Sequence, residues 1–462
     1  MGNANEKMTK ILSRKDVIAL AFGAMIGWGW VVLSGDWITQ AGTLGGMVAF
    51  LIGGLMVTFV GLTYAELVAA MPKVGGEHYY TLRALGPKAS FIASWAIAMG
   101  YLTVVGIEAV AFPSVLDYLF PGYGQGYLWT VAGSEVTITW VLVGVLGSIV
   151  ITALNYFGIQ PAAVFQTICT LFIIVVGLLL FIGAPIGGST ENFHPFFVNG
   201  FGGVMSVIVM VPFLFVGFDV IPQAAEEMNV PSKKIGSLLL ISVTLAVVYY
   251  MAIVVGVGMG LDQAALKQSD LAAADAIAAI FGTPLIGNVL VLAGVAGILT
   301  SWNAFLIGGS RVLYAMAESG MLPAWLGQLH PKYHTPSNAI LLLGGLSCIA
   351  PFFGEEMLTW LVNAGGLNIV VSYFLVAVSF LFLRKKEPNM KRPFRAGKGP
   401  VVGYLAILLS LFIAVQYMPG MEASLNWQEW LINLLWWVAG VLFLLRMNVS
   451  ESYLAEVKTH ME

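Results

Sequence analysis

The chain has 462 residues, of which 59% are hydrophobic and only 10% charged, and its mean hydropathy is +0.88. A soluble globular chain carries about 25% charged residues, so this composition points to a protein that sits in lipid. The net charge of -3 excludes the basic excess that a nucleic-acid partner demands, and the two cysteines, Cys169 and Cys348, sit in apolar runs where they read as small core residues.

The N-terminal stretch from Met1 to Lys15 is polar and carries Lys7, Lys10, Arg14 and Lys15. The apolar run that follows is long and lacks an A-x-A-like cleavage site, so it reads as a retained first helix. A bilayer core needs about 20 apolar residues per helix. Twelve segments meet or approach that length: 17–40, 44–70, 91–118, 137–158, 163–185, 202–226, 236–260, 285–316, 338–353, 357–383, 401–419 and 428–446. Segment nine is short. Segments four and five are joined by a tight turn, Phe157-Gly158-Ile159-Gln160-Pro161.

Basic residues fix the expected orientation, because cytoplasmic loops are enriched in Lys and Arg. Lys73, Arg83 and Lys88 follow segment two, and Lys233 and Lys234 follow segment six. Arg311 and Lys332 follow segment eight, seven basic residues between Arg384 and Lys398 follow segment ten, and Arg446 and Lys458 lie at the end. With the N-terminal four, these place every basic residue except Lys267 on one side. Both termini are therefore expected in the cytoplasm of a plasma-membrane protein.

Two connections predict structure of their own. Pro72 to Pro87 reads as a Gly75-Gly76 turn and a short amphipathic helix at the membrane surface. Asp262 to Gly282, on the outer side, is Ala-rich and predicts one or two short helices, with a lid as one reading.

Segment one contains Gly23-Ala24-Met25-Ile26-Gly27-Trp28-Gly29-Trp30. Two glycines bracketing one residue weaken a helix. A broken helix in hydrocarbon leaves backbone groups unpaired, which is tolerable only where the break is buried or lines a cavity. Segment six repeats the pattern in Val211-Pro212-Phe213-Leu214-Phe215-Val216-Gly217-Phe218-Asp219. Interrupted segments in corresponding positions of two halves point to the substrate site of an inverted-repeat transporter; kinks in two unrelated helices are the alternative.

Gly23-Ala24-Met25-Ile26-Gly27-Trp28-Gly29 resembles the G-x-x-I-G-x-G signature of the amino acid–polyamine–organocation (APC) superfamily. Pro72-Lys73-Val74-Gly75-Gly76-Glu77 with Tyr80 resembles its first cytoplasmic loop. Gly217-Phe218-Asp219 with Ala225-Glu226-Glu227 and Pro231 resembles its segment-six block. Arg311, Leu313-Tyr314-Ala315-Met316 and Gly320-Met321-Leu322-Pro323 resemble the end of segment eight, and Arg392-Pro393-Phe394 the loop after segment ten. The resemblance implies an all-α polytopic protein with twelve transmembrane helices and a five-plus-five inverted repeat, discontinuous in helices one and six. The expected division is 1–15 as the cytoplasmic N-terminal segment, 16–190 and 200–384 as the two repeats, 399–446 as two extra helices and 447–462 as a cytoplasmic tail. The implied activity is secondary transport of an amino acid or small organic amine. Exchange of amines or polyamines is the alternative; a channel or receptor is the reading from another class.

The broken backbone offers amides near Gly29 and Trp30 for a carboxylate, and carbonyls of Ala24, Met25, Phe215 and Val216 for an ammonium. Gly27 and Gly29 shape the break. Trp28 and Trp30 depart from the family pattern: they serve packing or, with Phe215 and Phe218, form an aromatic wall for a cationic amine, and either way a large ring beside the site shrinks it and speaks against an ordinary bulky amino acid. Asp219 is a mid-membrane acid that pairs with an ammonium, caps the inner half-helix, or does both. Glu108 in segment three is a candidate proton carrier or a structural acid.

Glu66 reads as structural. Glu226 and Glu227 have Lys233, Lys234 or Arg14 as possible partners in an inner gate. Many proton-driven relatives have a lysine in segment five facing segment one, where this chain has apolar Leu171 to Ile174. Thr300 and Ser301, with the carbonyls of Ala24 and Gly27, are the oxygen ligands of a candidate Na⁺ site, unless the hydroxyls bond back to their own helix. Na⁺ and H⁺ both stand as coupling ions. The sequence has no P-loop, no enzyme motif and no metal-like histidine cluster, and no organic cofactor is expected.

Overall fold

A computed structural model describes residues 8–421 and 424–459, so Lys7 lies outside the described residues. The described residues are mostly helical. Eight helices are long and apolar enough to cross a membrane, and shorter apolar helices fall at Gly200–Leu214, Ala272–Phe281, Ser337–Phe353 and Val401–Gln416. Every one of the twelve expected segments coincides with helix. The chain is a multi-pass membrane protein.

Segment one is in three pieces: Arg14–Met25, Gly29–Val32 and Ser34–Ala41. Its start is fixed by Ser13, whose amide and hydroxyl both donate to the Asp16 carboxylate, at 2.9 and 2.6 Å. Segment two, Thr43–Ala70, follows a turn at Gly42, where φ is +79°. Segments three and eight, Pro87–Leu119 and Pro284–Glu318, form the centre of the bundle, with 83% of each apolar window buried. Segments four, five and twelve lie on the rim. They turn Leu146, Ile168 and Leu442 outward, as a lipid-facing surface requires. The expected tight turn between segments four and five is present, with Gly158 at φ +136°.

Segment six is helical over Gly200–Leu214 and resumes only as Val220–Gln223 and the 3₁₀ turn Ala225–Glu227. The two short outer helices are Gln263–Leu266 and Ala272–Phe281. Asp262 starts the first by accepting the Ala265 amide at 2.8 Å, and Ala272 of the second packs against Gly35.

Three features correct or extend the sequence reading. The loop helix Glu77–Leu85 does not lie on the membrane surface. Glu77, His78, Tyr79, Tyr80, Thr81, Leu82 and Ala84 are all buried, because segments three and ten and the C-terminal helix enclose it. That C-terminal helix, Glu451–Thr459, is docked, a detail that the sequence reading did not include: the Val457 carbonyl accepts from Arg83 at 2.7 Å. A β-hairpin, Tyr127–Val131 with Ser134–Thr137, was not anticipated between segments three and four.

Candidate functional site

The two breaks meet at the centre. Gly217 has φ +130°, and a Cβ built there would lie 2.6 Å from the Ala24 Cβ and 2.9 Å from the Ala24 carbonyl carbon. Only glycine combines that backbone with that approach. Segment eight closes on the same point from another side, since a Cβ at Gly297 would lie 2.5 Å from the Gly27 carbonyl oxygen.

The breaks leave a defined set of unpaired backbone groups. Among the described residues the amides of Gly27, Trp28, Gly29 and Trp30 donate to no backbone carbonyl, whereas Val31 already donates to Trp28 at 3.0 Å. The carbonyls of Ala24, Phe215 and Val216 accept no backbone hydrogen bond. The Met25 carbonyl is occupied: the Tyr250 hydroxyl donates to it at 2.8 Å and contacts the Leu214 carbonyl at 3.3 Å. One tyrosine of segment seven thus caps both broken helices.

The aromatic residues are spread around this point. Trp28 lies half-buried against Gly294, where a Cβ would clash with its ring. Trp30 is fully buried and edge-on to Tyr249 at 5.7 Å. Phe215 contacts Tyr250, and Phe218 lies between Tyr64 and Tyr373. The expected four-ring wall is therefore not assembled by ring contacts among the described residues: Trp30 spends its ring on packing against segment seven and brings only its amide to the break.

Asp219 is buried just before the inner half-helix. It makes no side-chain cap to the following turn. One carboxylate oxygen instead accepts the Gly217 amide at 2.8 Å and the other accepts the Tyr101 hydroxyl at 2.6 Å. Its carboxylate therefore holds the break in shape. Glu108 and Ser301 both face Gly27, each with an atom 3.6 Å from the position of a Cβ there. Thr300 is fully buried and donates to the Gly297 carbonyl at 3.0 Å, within its own helix.

Segment five faces segment one with polar side chains, which corrects the expected apolar patch. Leu171 is 57% exposed and points to lipid. Gln166 and Thr170 take the inner positions, and both reach the Ala19 carbonyl, at 3.3 and 3.2 Å. Asn303 donates to Gln166, and Asn155 to Asn303, each at 2.8 Å. This chain of amides joins segments four, eight, five and one beside the break. Sequence reasoning missed it, although three amide side chains inside apolar runs are a readable signal.

On the basic face the acids choose other partners than expected. Glu227 pairs with Arg311 at 2.9 Å with both side chains buried, and Glu226 pairs with Lys73 at 3.4 Å. Segment eight delivers Arg311 to the end of segment six, which leaves Lys233, Lys234 and Arg14 outside the pairing. The N-terminal segment joins the same cluster, as the amides of Ile11 and Leu12 both donate to the Glu227 carbonyl at 2.9 Å. Glu66 is structural, held by Arg384 and Arg392.

The amino acid permease family model matches residues 12–443. The chain is 28% identical over 452 residues to a branched-chain amino acid permease of Bacillus subtilis, covering 95% of this chain and 93% of that relative. It is 26% identical to a methylthioribose transporter of the same organism, over 95% and 93% of the two chains. An aspartate-proton symporter, also from Bacillus subtilis, is 26% identical over 87% of this chain and 78% of its own. These relatives are transporters, not enzymes. The chain belongs to the amino acid permease family, within the APC superfamily.

Proposed function

We propose that the protein is a secondary transporter of a neutral, apolar amino acid. One observation carries this reading: among the described residues the amides of Gly27 to Trp30 and the carbonyls of Ala24, Phe215 and Val216 make no backbone hydrogen bond, at two breaks that meet where Gly217 packs on Ala24. Orphan amides favour a carboxylate and orphan carbonyls an ammonium. An α-amino acid presents both. Trp28, Phe215 and Phe218 make the surroundings of the break apolar, and Asp219 already accepts from Gly217 and Tyr101, which speaks against a second cationic group on the substrate. The similarity to a branched-chain amino acid permease agrees with that choice.

Transport is coupled to a proton carried by Glu108 and proceeds by alternating access, with segments one, two, six and seven rocking against the rest. The place of Glu108 beside Gly27 supports the proton reading, and one relative is an aspartate-proton symporter. The second reading is Na⁺ bound by the Ala24 and Gly27 carbonyls and the Thr300 and Ser301 hydroxyls. It is favoured by the place of Ser301 beside Gly27.

Twelve crossings in a five-plus-five repeat, with both termini cytoplasmic, fit the alternation of the basic loops. The buried Glu227–Arg311 pair then acts as the inner gate.

A thermal-shift screen of amino acids and amines, with and without Na⁺, tests the reading. Stabilisation by neutral aliphatic amino acids in Na⁺-free buffer at mildly acidic pH supports it. Stabilisation by amines alone, or only in Na⁺, contradicts the substrate or the coupling respectively.

A further inference from the structure

The loop after segment ten is built around two arginines. Arg384 donates to the carbonyls of Ala396 and Gly397 at 2.9 and 3.1 Å, and also to Gly399. Arg392 donates to the carbonyls of Leu383, Glu387 and Met390, all at 3.1 Å. The loop is thus folded onto guanidinium groups and held in shape. Both arginines share one carboxylate, Glu66. Glu387, the next acid along the loop, is taken by Arg83 at 2.8 Å.

Positive charge accumulates as a result. Lys385, Arg395 and Lys398 are exposed and make no ion pair among the described residues. Together with Arg384 and Arg392 they line a cavity of about 480 Å³. Burial, with the neighbouring Arg384 and Arg395, pushes Arg392 below its ordinary range despite Glu66. The cavity therefore gathers more cations than its own acids neutralise.

Its other wall is apolar and faces outward. Phe382 is 42% exposed and Tyr404 57% exposed, on segments ten and eleven. On a membrane protein that wall meets lipid at the level of the headgroups, where Tyr is at home. A free anion uses only the cationic half of such a cavity. A phospholipid uses both halves, with its phosphate among the cations and an acyl chain along Phe382 and Tyr404.

We propose that this cavity binds the phosphate headgroup of an anionic membrane phospholipid, with Lys385, Arg395 and Lys398 as the residues that select for charge. Cationic pockets between membrane helices are suited to anionic headgroups. The loop also touches the moving helices of the proposed transport cycle. Glu66 belongs to segment two, and Phe394 packs against Gly236 at the start of segment seven. The bound lipid would therefore sit at the boundary between the rocking helices and the rest.

The test is native mass spectrometry of the full chain with added phosphatidylglycerol or phosphatidylcholine. The wild type is expected to retain one phosphatidylglycerol about tenfold more tightly than phosphatidylcholine. The triple variant K385Q/R395Q/K398Q should lose that preference, whereas K233Q/K234Q, with two cations removed from the same face, should keep it. The swap K385R/R395K/K398R preserves charge and should also keep it, which separates loss of charge from loss of fold. Equal retention of phosphatidylglycerol by wild type and the triple glutamine variant overturns the proposal. Displacement of the lipid by inorganic phosphate at lipid-equivalent concentration overturns the choice of a lipid, leaving a free anion as the occupant.

Discussion

Gly217 packs directly on Ala24, so that a single methyl group at Gly217 would lie 2.6 Å from the Ala24 side chain. The two interruptions are thus one structural feature. Each helix is broken where the other needs space, and the unpaired amides and carbonyls of both are gathered in one place.

Gly217→Ala should abolish substrate-dependent uptake. The backbone at φ +130° strains any other residue, at about 1–3 kcal/mol, and the clash with Ala24 adds to it. Gly202 has open space around it and lies in the same segment, so Gly202→Ala should leave uptake unchanged. Uptake of both variants into proteoliposomes, normalised to reconstituted protein, checks the pair.

Tyr250→Phe should keep the fold but weaken the site. The hydroxyl satisfies the Met25 and Leu214 carbonyls, and leaving buried acceptors unpaired costs about 1–3 kcal/mol. A lower thermal midpoint and roughly tenfold weaker substrate stabilisation are expected. An unchanged midpoint and affinity would remove Tyr250 from the account.

The Arg311–Glu227 pair can be read by a double-mutant cycle. Breaking a buried pair by removing one partner costs about 3–5 kcal/mol. Arg311→Gln and Glu227→Gln should each be strongly destabilising, and the double variant should cost much less than their sum. Additive losses in chemical denaturation would show that the two side chains act independently.

The loop helix makes a prediction about pH. His78 is fully buried, and burial pushes it down to about 3 from its ordinary value of 6.5. Its contribution to stability is therefore lost as pH falls below 6.5. Glu77 has the opposite sign, because burial, with the charge of Asp219, holds it well above its ordinary value of 4.5. Its contribution is lost as pH rises. Between pH 4.5 and 6.5 the two slopes, each at most about 1.4 kcal/mol per pH unit, oppose one another, so the pair should leave stability flatter than either group alone. His78→Gln should make stability fall as pH rises through that window, and Glu77→Gln should make it fall as pH drops. Thermal midpoints of the three proteins across the window check the signs.

The breaks were legible because Gly27, Gly29 and Gly217 are poor helix formers within apolar runs, and local propensity needs no partner. The long segments were legible for the same reason: lipid imposes length and hydropathy on each helix separately. Partner choice was not. Glu227 had several basic residues nearby in sequence, and the one it selected, Arg311, arrives from segment eight. Tyr250 and Tyr101 have no signal of their own in the sequence, because the carbonyls and the Asp219 carboxylate they serve come from other segments. The hairpin was within reach: Ala132-Gly133 lies between two strand-prone runs, a pattern overlooked beside the stronger signal of the flanking helices. For Trp30 packing and an aromatic wall stayed open, because position along the helix does not say which way a ring turns.

The central claim is coupled transport of a neutral amino acid through the paired breaks. The most direct measurement is uptake of radiolabelled leucine into proteoliposomes under an imposed proton gradient, compared between wild type and Glu108→Gln. The account predicts saturable accumulation in the wild type that a protonophore abolishes. In Glu108→Gln, gradient-driven accumulation should be lost while leucine–leucine counterflow persists. Accumulation by Glu108→Gln equal to the wild type, or flux that rises linearly without saturation, would contradict it.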